Sequence, residues 1–472
     1  MFELSSEKKL FSELNRFFEP ESVAVIGASE KPGTIGRAIM VNLIEKFKGK
    51  IYPVNIKYDK VFGLPCYKSV LDIPGTVELA VIAVPAKIVP RIIEECGEKG
   101  IKAAIIISAG FREIGGEGIE REKRVIETAR KYGMRIIGPN CLGVYDAHSG
   151  LNTIFNPPDR QRVPEPGPVA FISQSGALGA AVLDWISIMG VGLSKFVSYG
   201  NAADVDESEL IEFLTLDPKT KIITAYIEGV EDGKRFMNAI KKALRKQKPV
   251  VILKAGKSER GVKAVASHTG SLAGTYRVYE AAIKQAGALL IEELWEYPLV
   301  LKALAWNPVP RGNRVVIVTN GGGAGVLATD AVEKQGLVMA ELAEETIKEL
   351  RRVLPPAASP YNPVDILGDA PAERYRNAIE IVSRDPNIDM IVVITIMQAP
   401  ALDAFEIRDV LKKARKELGK PIVVVAPGGE YTERHSRLIE EEAHIPVYKS
   451  PEEAVRALKY LYEYKRALDK IR

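Results

Sequence analysis

The sequence contains few of the residues and segments that mark secreted, membrane-spanning or zinc-binding proteins. Only three cysteines occur in 472 residues, Cys66, Cys96 and Cys141, and none lies in a CxxC pair. This number excludes a disulfide framework and the common zinc motifs. No apolar run approaches the roughly 18 residues that span a bilayer, and the N-terminal segment lacks an apolar signal-peptide block. We therefore expect a cytoplasmic protein with reduced thiols and no contact with a membrane.

The sequence also lacks a strong excess of either charge. Its 65 Lys and Arg residues nearly balance 61 Asp and Glu residues, for a net charge of +4, and the basic residues form no block with interleaved aromatics. This pattern gives no indication of nucleic-acid binding. Abundant Lys and Glu beside only six Gln is typical of a thermophilic source. With 46% apolar residues, the chain is expected to fold throughout.

Short runs rich in Val and Ile alternate with amphipathic segments, as expected for buried parallel strands between helices. The segments that predict strands are 22–27, 51–55, 78–85, 102–108, 135–139, 168–173, 193–198, 221–228, 249–256, 314–320, 390–397 and 421–427. Proline-rich breakers at 156–168 and 306–313 divide this series. The fold class is therefore α/β, with three doubly wound domains predicted at 1–150, 165–305 and 312–472.

A glycine-containing loop between the first strand and the first helix of the series predicts an anion site. The loop runs from Gly27 through Ser29 and Gly33 to Gly36, where backbone N–H groups and the helix dipole favour phosphate. Its spacing departs from GxGxxG, because five residues separate Gly27 from Gly33. A tight strand–helix turn without a ligand is the alternative.

The end of the second strand bears on which ligand this loop would take. An NAD site usually has Asp or Glu there, whereas this strand is followed by Asn55, Ile56 and Lys57. A lysine suits an additional phosphate, as in NADP or the 3′-phosphorylated ADP of CoA. A solvated surface lysine is the alternative, and plain NAD is disfavoured.

Small residues at the ends of the later strands leave room for an elongated ligand at the same edge of the sheet. They are Val84, Pro85, Ser108, Gly110 and Asn140. Cys141 follows directly, but no histidine is close in sequence except His148. We interpret Cys141 as a buried, unreactive thiol.

One of the four histidines, His268, has a setting that suits chemistry. His148, His435 and His444 lie in charged or turn-like segments, whereas His268 lies in a run of small residues, SHTGSLAG, which we predict to be a loop. A neutral imidazole is a competent nucleophile. A surface histidine is the alternative without further support.

Two other strand ends in the second predicted domain supply that support. Ser173, Ser175, Gly176 and Ala177 join a strand to a helix, where hydroxyls and free N–H groups could hold a phosphoryl group. Glu228 closes a strand of the same sheet and could fix the imidazole through a hydrogen bond. An exposed loop acid is the alternative for Glu228.

The sequence has no Walker A motif. Gly256-Lys257-Ser258 follows a strand, but Val251 occupies the position where a P-loop needs its first glycine. A phosphohistidine formed in this chain would therefore have to pass its phosphate to a nucleotide bound elsewhere.

Taken together, these segments resemble one family along essentially the whole chain. The GASxxxGxxG-like loop, PVN-x-K, VPA, SAGF, GPNCLG, FISQSGALG, YIEG and ASHTGSLAG occur in the order found in α-subunits of ADP-forming acyl-CoA (acetyl-CoA) synthetases. These enzymes are relatives of succinyl-CoA synthetase. Ile56 replaces the proline of PVNPK, which leaves the lysine in place.

The resemblance implies a Rossmann-like CoA-binding domain followed by two flavodoxin-like domains. It assigns His268 as the phosphorylated residue, Glu228 as its orienting carboxylate, and Ser173, Ser175, Gly176 and Ala177 as the phosphate cradle. CoA would contact ten residues: Gly27, Ser29, Gly33, Gly36, Lys57, Val84, Pro85, Ser108, Gly110 and Asn140.

The implied enzyme is an acid–thiol ligase that converts acyl-CoA, phosphate and ADP or GDP into a carboxylic acid, CoA and ATP or GTP. The resemblance also implies a β-subunit with an ATP-grasp domain that binds Mg²⁺ and the nucleotide in an α2β2 heterotetramer. The chain itself is expected to hold no metal, and the preferred acyl group is left open.

The role of the third domain and the overall function stay open at the level of sequence. The resemblance implies that this domain, with the glycine run 320–325 and the segment 362–365, serves in assembly with the partner, and the glycine run could instead be a second phosphate site. The alternative functions are a CoA-sensing or scaffold protein without chemistry, and an NADP-dependent oxidoreductase.

Overall fold

The computed structural model describes the backbone of residues 2–269 and 275–471, and the side chains of residues 6–265 and 275–471. The chain forms two compact units, Met1–Leu294 and Trp295–Arg472. Within the described residues, no helix is long and apolar enough to cross a membrane.

The first unit contains nine helices and thirteen strands among its described residues. Their order is α1 (Phe2–Asn15), β1 (Ser22–Ile26), α2 (Ile35–Lys46), β2 (Lys50–Val54), β3 (Lys60–Val61), β4 (Leu64–Pro65), β5 (Leu79–Ile82), α3 (Val89–Glu98), β6 (Ala103–Ile106), α4 (Glu117–Lys131), β7 (Arg135–Ile137), β8 (Gly143–Asp146), β9 (Pro166–Ser173), α5 (Gly176–Met189), β10 (Leu193–Ser198), α6 (Glu207–Leu216), β11 (Ile222–Ile227), α7 (Gly233–Arg245), β12 (Val250–Lys254), α8 (Glu259–Thr269), α9 (Tyr276–Ala286) and β13 (Leu289–Ile291). Short 3₁₀ helices occur at Val70–Asp72, Ala86–Ile88 and Arg112–Ile114.

The first sheet of this unit is entirely parallel and has the order β2-β1-β5-β6-β7. Its central strands β1, β5 and β6 are buried along their whole length. Burial on both faces explains why their sequences consist almost entirely of Val, Ile, Leu and Ala. The five strands therefore present their C-terminal ends along one edge.

The second sheet has the order β13-β12-β11-β9-β10-β8. Its first five strands are parallel, whereas β8 pairs antiparallel with β10 at the edge. One hydrophobic core joins side chains of both sheets, including Val25 and Ile105 of the first and Ile172 and Ile252 of the second. The two sheets therefore belong to one unit.

The second unit contains seven helices and six strands among its described residues. They are α10 (Glu296–Trp306), β14 (Arg314–Thr319), α11 (Gly322–Lys334), β15 (Val338–Met339), α12 (Glu344–Val353), β16 (Val364–Asp365), α13 (Ala372–Arg384), β17 (Met390–Ile394), α14 (Ala404–Glu417), β18 (Ile422–Val425), α15 (Glu430–Ala443), β19 (Val447–Tyr448) and α16 (Pro451–Asp469). The parallel sheet has the order β15-β14-β17-β18-β19, and β16 also pairs with β14.

Beside a two-stranded antiparallel sheet of β3 and β4, the three large sheets repeat one strand order. When the main parallel strands of each sheet are numbered along the chain, the order is 2-1-3-4-5 in every case. This is the flavodoxin-like doubly wound arrangement. Such sheets bind ligands at the carboxyl ends of their strands, at the point where the strand order reverses. The predicted α/β fold class is confirmed.

The structure corrects one local prediction. The segment around His268 was expected to be a loop, but α8 extends from Glu259 to Thr269 and includes the backbone of His268. Small residues alone suggested the loop, whereas Ala and Lys within 259–269 are good helix formers and Glu259 favours a helix start. The histidine therefore lies in the last turn of a helix.

Candidate functional site

The loop between β1 and α2 is built by close backbone contacts that only glycine permits. Gly27 has a φ of +98°, and a Cβ atom there would overlap the carbonyl oxygen of Ala83 after β5. A Cβ atom at Gly36 would overlap the carbonyl oxygen of Gly27. Helix α2 therefore starts directly against the end of β1, with Thr34 as its N-cap. This geometry directs the first N–H groups of the helix toward the sheet edge.

The same loop is connected to the end of β2 through the side chain of Asn55. Its amide nitrogen donates to the carbonyl oxygen of Ala28 at 2.8 Å, and its amide oxygen accepts from the Lys57 N–H at 2.9 Å. The buried hydroxyl of Ser29 accepts from the Lys31 N–H at 3.0 Å. Lys57 is exposed, so its ammonium group is accessible beside the loop.

The ends of the next three strands are joined in a row. The Ser108 hydroxyl donates to the Val84 carbonyl at 2.5 Å, and the Asn140 N–H donates to the Ser108 carbonyl at 3.0 Å. Pro85 follows Val84, and Gly110 follows Ser108 with a φ of +108°. The predicted CoA-contacting residues therefore lie along the carboxyl edge of one sheet.

A polar network connects this edge with the loop after β10. The Glu113 carboxylate accepts from the Gly110 N–H at 2.5 Å and from the Asn201 amide at 2.7 Å. The same amide donates to Glu122 at 2.8 Å, and Arg112 lies 3.6 Å from that carboxylate. Burial raises the pKa of Glu122. Burial also acts on Glu113, but hydrogen bonds from Asn201 and the backbone leave its pKa lowered.

Helix α5 begins where β9 ends, as expected for an anion cradle. Ser175 is the N-cap, and its hydroxyl accepts from the Leu178 N–H at 3.3 Å. The fully buried Ser173 donates to the Ser175 carbonyl at 2.7 Å and fixes the turn. Gly176 and Ala177 form the first turn of the helix, where N–H groups precede the helical hydrogen-bond pattern. The start of α5 can therefore present the backbone N–H groups of Gly176 and Ala177 to an anion.

The cradle contacts the segment that ends the first sheet. A Cβ atom at Gly176 would lie 3.3 Å from the Cβ of Leu142. The Leu142 N–H donates to the hydroxyl of Ser198 at 3.0 Å, and the Asn201 N–H donates to the Pro139 carbonyl at 2.9 Å. The row of Val84, Ser108 and Asn140 therefore continues into the cradle within one unit.

Glu228 follows β11, the strand beside β9, and is only 4% exposed. The Gln174 side-chain oxygen accepts from the N–H groups of Glu228 and Gly229, the latter at 3.0 Å. The Glu228 carboxylate accepts a hydrogen bond from the Tyr226 hydroxyl. Burial and this carboxylate raise the pKa of Tyr226, so that the hydroxyl stays a donor. The structure thus brings Glu228 to the cradle.

The side chain of His268 lies outside the described residues, so its distance from Glu228 stays a prediction. Its backbone belongs to α8, which approaches the 3₁₀ helix Arg112–Ile114. That 3₁₀ helix follows Gly110 at the first sheet. Helix α8 therefore runs near the carboxyl edge of the first sheet.

Comparisons with known proteins identify the family. The chain matches models of a CoA binding domain at residues 21–147, a succinyl-CoA ligase like flavodoxin domain at 166–304 and a ligase-CoA domain at 315–472. It is 48% identical over 460 residues to the α-subunit of acetate–CoA ligase [ADP-forming] I of Pyrococcus furiosus, covering 96% of this chain and 98% of that one. The chain belongs to the ADP-forming acetate–CoA ligase family.

Two further members of the family extend the comparison. The acetate–CoA ligase [ADP-forming] I of Archaeoglobus fulgidus is 45% identical over 456 residues, which is 96% of this chain but only 64% of that longer one. A solved acetyl-coenzyme A synthetase 1 of Ca. Korarchaeum cryptofilum, in complex with phosphate and ADP, superposes with a TM-score of 0.91 and 39% identity. That alignment covers 97% of this chain and 98% of the solved one.

The two N-terminal family models separate the predicted CoA-contacting residues of this ligase from its predicted phosphoryl-transfer residues. The CoA-binding model covers the first sheet with Gly27, Lys57 and Asn140, and the flavodoxin model covers the cradle, Glu228 and His268. Among the described residues, no group of three or more His, Cys, Asp or Glu side chains could hold a metal ion. Cys141 is buried, as predicted, and burial raises the pKa of its thiol.

Sequence reasoning missed four polar residues that shape this ligase site: Asn55, Gln174, Asn201 and Lys254. Two of them, Asn55 and Gln174, lie inside segments already singled out, PVN-x-K and FISQSGALG. Asn201 follows β10 and Lys254 ends β12, and nothing in their local sequence reveals the buried contacts that they make. A search for polar residues at or directly after the ends of the predicted strands would have found Asn55 and Gln174.

Asn320, at the start of the glycine run, and Asn362 make hydrogen bonds within the second unit. The Asn320 amide oxygen accepts from the Ile396 N–H at 2.8 Å, and Asn362 donates to the carbonyls of Val315 and Ala340 at 2.8 and 3.0 Å. Both asparagines therefore tie strand ends of the third sheet together. Their contacts neither test an assembly role nor test phosphate binding.

Proposed function

We propose that this chain is the CoA-binding, phosphohistidine-carrying α-subunit of an NDP-forming acyl-CoA ligase. The reaction would convert acyl-CoA, phosphate and ADP or GDP into a carboxylic acid, CoA and ATP or GTP. One observation carries the proposal: the glycine-built edge of the first sheet continues into the α5 cradle, and Gln174 connects that cradle to the backbone of Glu228. The residues that we assign to CoA are thus adjacent to those that we assign to the phosphoryl group.

In this proposal CoA lies along the carboxyl edge of the first sheet. The N-terminus of α2 would receive the pyrophosphate, and the exposed Lys57 would receive the 3′-phosphate, because backbone N–H groups and ammonium groups favour phosphate. The remaining contacts would come from Gly27, Ser29, Gly33, Gly36, Val84, Pro85, Ser108, Gly110 and Asn140.

The chemistry would proceed in two steps on this chain. A phosphate oxygen attacks the thioester carbonyl carbon, the C–S bond breaks, and CoA thiolate and an acyl phosphate form. An imidazole nitrogen of His268 then attacks phosphorus, and the P–O bond to the acyl group breaks to release the carboxylate. Glu228 would accept the hydrogen bond of the other imidazole nitrogen, and Ser173, Ser175, Gly176 and Ala177 would hold the phosphoryl group.

The phosphate would then leave this chain for a nucleotide on a partner. We propose a β-subunit with an ATP-grasp domain that binds Mg²⁺ and ADP or GDP, in an α2β2 assembly. The name of the Pyrococcus relative as an α-subunit supports a partner.

We also retain the domain division 1–150, 165–305 and 312–472 as a proposal, with the third domain serving in assembly. The location would be the cytoplasm, where CoA and nucleotides are available. The acyl substrate would be small, with no role for nucleic acid or a membrane.

The decisive experiment measures phosphorylation of the complex with its β-subunit, incubated with acetyl-CoA and labelled phosphate without nucleotide. The wild type should take up label that is acid-labile and base-stable, the behaviour of phosphohistidine. His268→Ala should take up none. His148→Ala, which changes an exposed histidine of the same unit, should be labelled like the wild type.

Other outcomes would favour the alternatives. CoA binding without label in the wild type would indicate a CoA-sensing or scaffold protein. Binding of NADPH, seen as a change in nicotinamide fluorescence, without binding of CoA would indicate an oxidoreductase. Label retained in His268→Ala would contradict the assignment of that residue.

A further inference from the structure

Lys254 places a positive charge inside the protein beside the proposed site. It is the last residue of β12 and is only 2% exposed. Its ammonium group donates to the carbonyl oxygen of Glu228 at 2.8 Å and to that of Ala255 at 2.6 Å. Burying an ammonium group is unfavourable unless hydrogen bonds and charges compensate. The two carbonyls and the nearby Glu228 provide that compensation.

Tyr279, which contacts Lys254, also binds the segment 228–230. Its Nζ lies 4.3 Å from the centroid of the Tyr279 ring on α9, and the Tyr279 hydroxyl accepts from the Val230 N–H at 3.2 Å. With the bonds from Gln174, the backbone of 228–230 is fixed by three side chains. The second bond of Lys254, to Ala255, fixes the start of the segment that leads into α8.

Lys248 is a second buried lysine with the same kind of hydrogen bonds, but it lies away from the proposed site. It precedes β12 at the opposite end of the strand and is 9% exposed. Its ammonium group also donates to two backbone carbonyls, those of Leu214 at 3.0 Å and Asp217 at 2.7 Å. Burial lowers the pKa of each lysine to about 8. The two residues therefore differ mainly in where they lie.

We propose that Lys254 is a positioning residue for phosphoryl transfer, which holds Glu228 and the root of helix α8 in the geometry that the reaction needs. The inference rests on the proposed function. Lys254 touches the Glu228 backbone and the residue that follows β12, so its effect on the reaction would pass through them. Its charge attracts the Glu228 carboxylate as well. CoA binding at the first sheet should not depend on it.

The test compares Lys254→Met with Lys248→Met in the complex with the β-subunit. Methionine keeps most of the side-chain volume and removes the charge and the donors. We expect Lys254→Met to slow phosphohistidine formation about 10- to 100-fold with an unchanged KM for acetyl-CoA, because small displacements of catalytic groups cost that much. Lys248→Met should leave both the rate and KM unchanged.

Melting temperatures of the variants distinguish a loss of positioning from a loss of folding stability. Lys254→Arg keeps the charge and the donors, and it should recover much of the rate lost in Lys254→Met. If the rates of Lys254→Met, Lys254→Arg and Lys248→Met simply follow their melting temperatures, the role of Lys254 is structural and the proposal is overturned. A Lys254→Met rate within twofold of wild type overturns it as well.

The same experiment distinguishes a failure of the proposed function from a failure of the positioning role of Lys254. A wild-type complex that takes no label contradicts the proposed function itself. A labelled wild type with an equally fast Lys254→Met contradicts only the positioning role.

Discussion

Glu228 is held through its main chain and through its carboxylate. Gln174 accepts from its N–H, Lys254 donates to its carbonyl and Tyr226 donates to its carboxylate. A side chain fixed by hydrogen bonds loses little further freedom when it meets a partner. In our proposal the fixed carboxylate of Glu228 therefore sets which imidazole nitrogen of His268 reacts.

Removing the negative charge of Glu228 should impair phosphorylation and leave CoA binding intact. Glu228→Gln keeps the shape of the side chain but stabilises an imidazolium less, so we expect the phosphohistidine yield to fall at least about tenfold. The measurement is the label bound from acetyl-CoA and phosphate, with CoA affinity determined by calorimetry. A normal yield in this variant would remove Glu228 from the site.

A methyl group at Gly36 should distort the loop between β1 and α2, which we propose binds CoA, because its Cβ would overlap the Gly27 carbonyl oxygen. We expect Gly36→Ala to lose about 1–3 kcal/mol of stability and at least about tenfold in CoA affinity. Gly233→Ala is the matched control, since Gly233 also lies in the first turn of a helix but has open space around it. Equal CoA affinity in the two variants would show that the loop does not bind CoA.

At the scale of elements, α6 begins with an acidic residue that its surroundings disfavour. Glu207 is 3% exposed, and burial, with the neighbouring Asp206 and Glu231, raises its pKa to about 8. The folded state therefore holds a proton that the unfolded chain releases near its ordinary value of 4.5. As the pH rises from 4.5 through 8, the folded state loses stability relative to the unfolded state.

Glu207→Gln should remove this pH dependence. At pH 8 the variant should be more stable than wild type by about 1 kcal/mol or more, which corresponds to about 2–4 °C in melting temperature. At pH 4.5 the two proteins should melt together. Calorimetry at both pH values measures the difference, and identical melting temperatures at pH 8 would show that Glu207 is not protonated in the folded state.

The elements were predictable where burial dictates composition. Runs such as 22–27 and 221–228 predict strands because strands buried on both faces need apolar β-branched residues, and the structure has β1 and β11 there. Helix α8 was missed because its small residues suggested a loop. Strand β8 was missed because its four residues, GVYD, contain no run of apolar β-branched residues.

In the whole molecule, the strand order of the sheets determines which loops lie together at the proposed sites. The parallel strands of each large sheet have the order 2-1-3-4-5, so that loops from distant parts of the sequence meet at one carboxyl edge. Motifs such as FISQSGALG and YIEG could therefore be assigned to one site from sequence. The Asn201 and Lys254 contacts could not, because they depend on how neighbouring loops and strands pack in three dimensions.

The division of labour between subunits makes a further prediction. The phosphorylated chain alone should keep its label when ADP and Mg²⁺ are added, because the nucleotide site lies on the partner in our proposal. Addition of the β-subunit should discharge the label into ATP within one turnover. Chromatographic separation of labelled ATP from protein measures this transfer, and discharge by the isolated chain would contradict a partner-held nucleotide.

The most direct test of the central claim locates the phosphate in the chain. After reaction with acetyl-CoA and phosphate, tryptic digestion at neutral or basic pH yields the peptide 264–277, in which His268 is the only histidine. Tandem mass spectrometry should find one phosphoryl group on His268 in this peptide. A phosphoryl group on another residue, or an unmodified peptide from protein that makes acyl phosphate, would contradict His268 as the phosphate carrier.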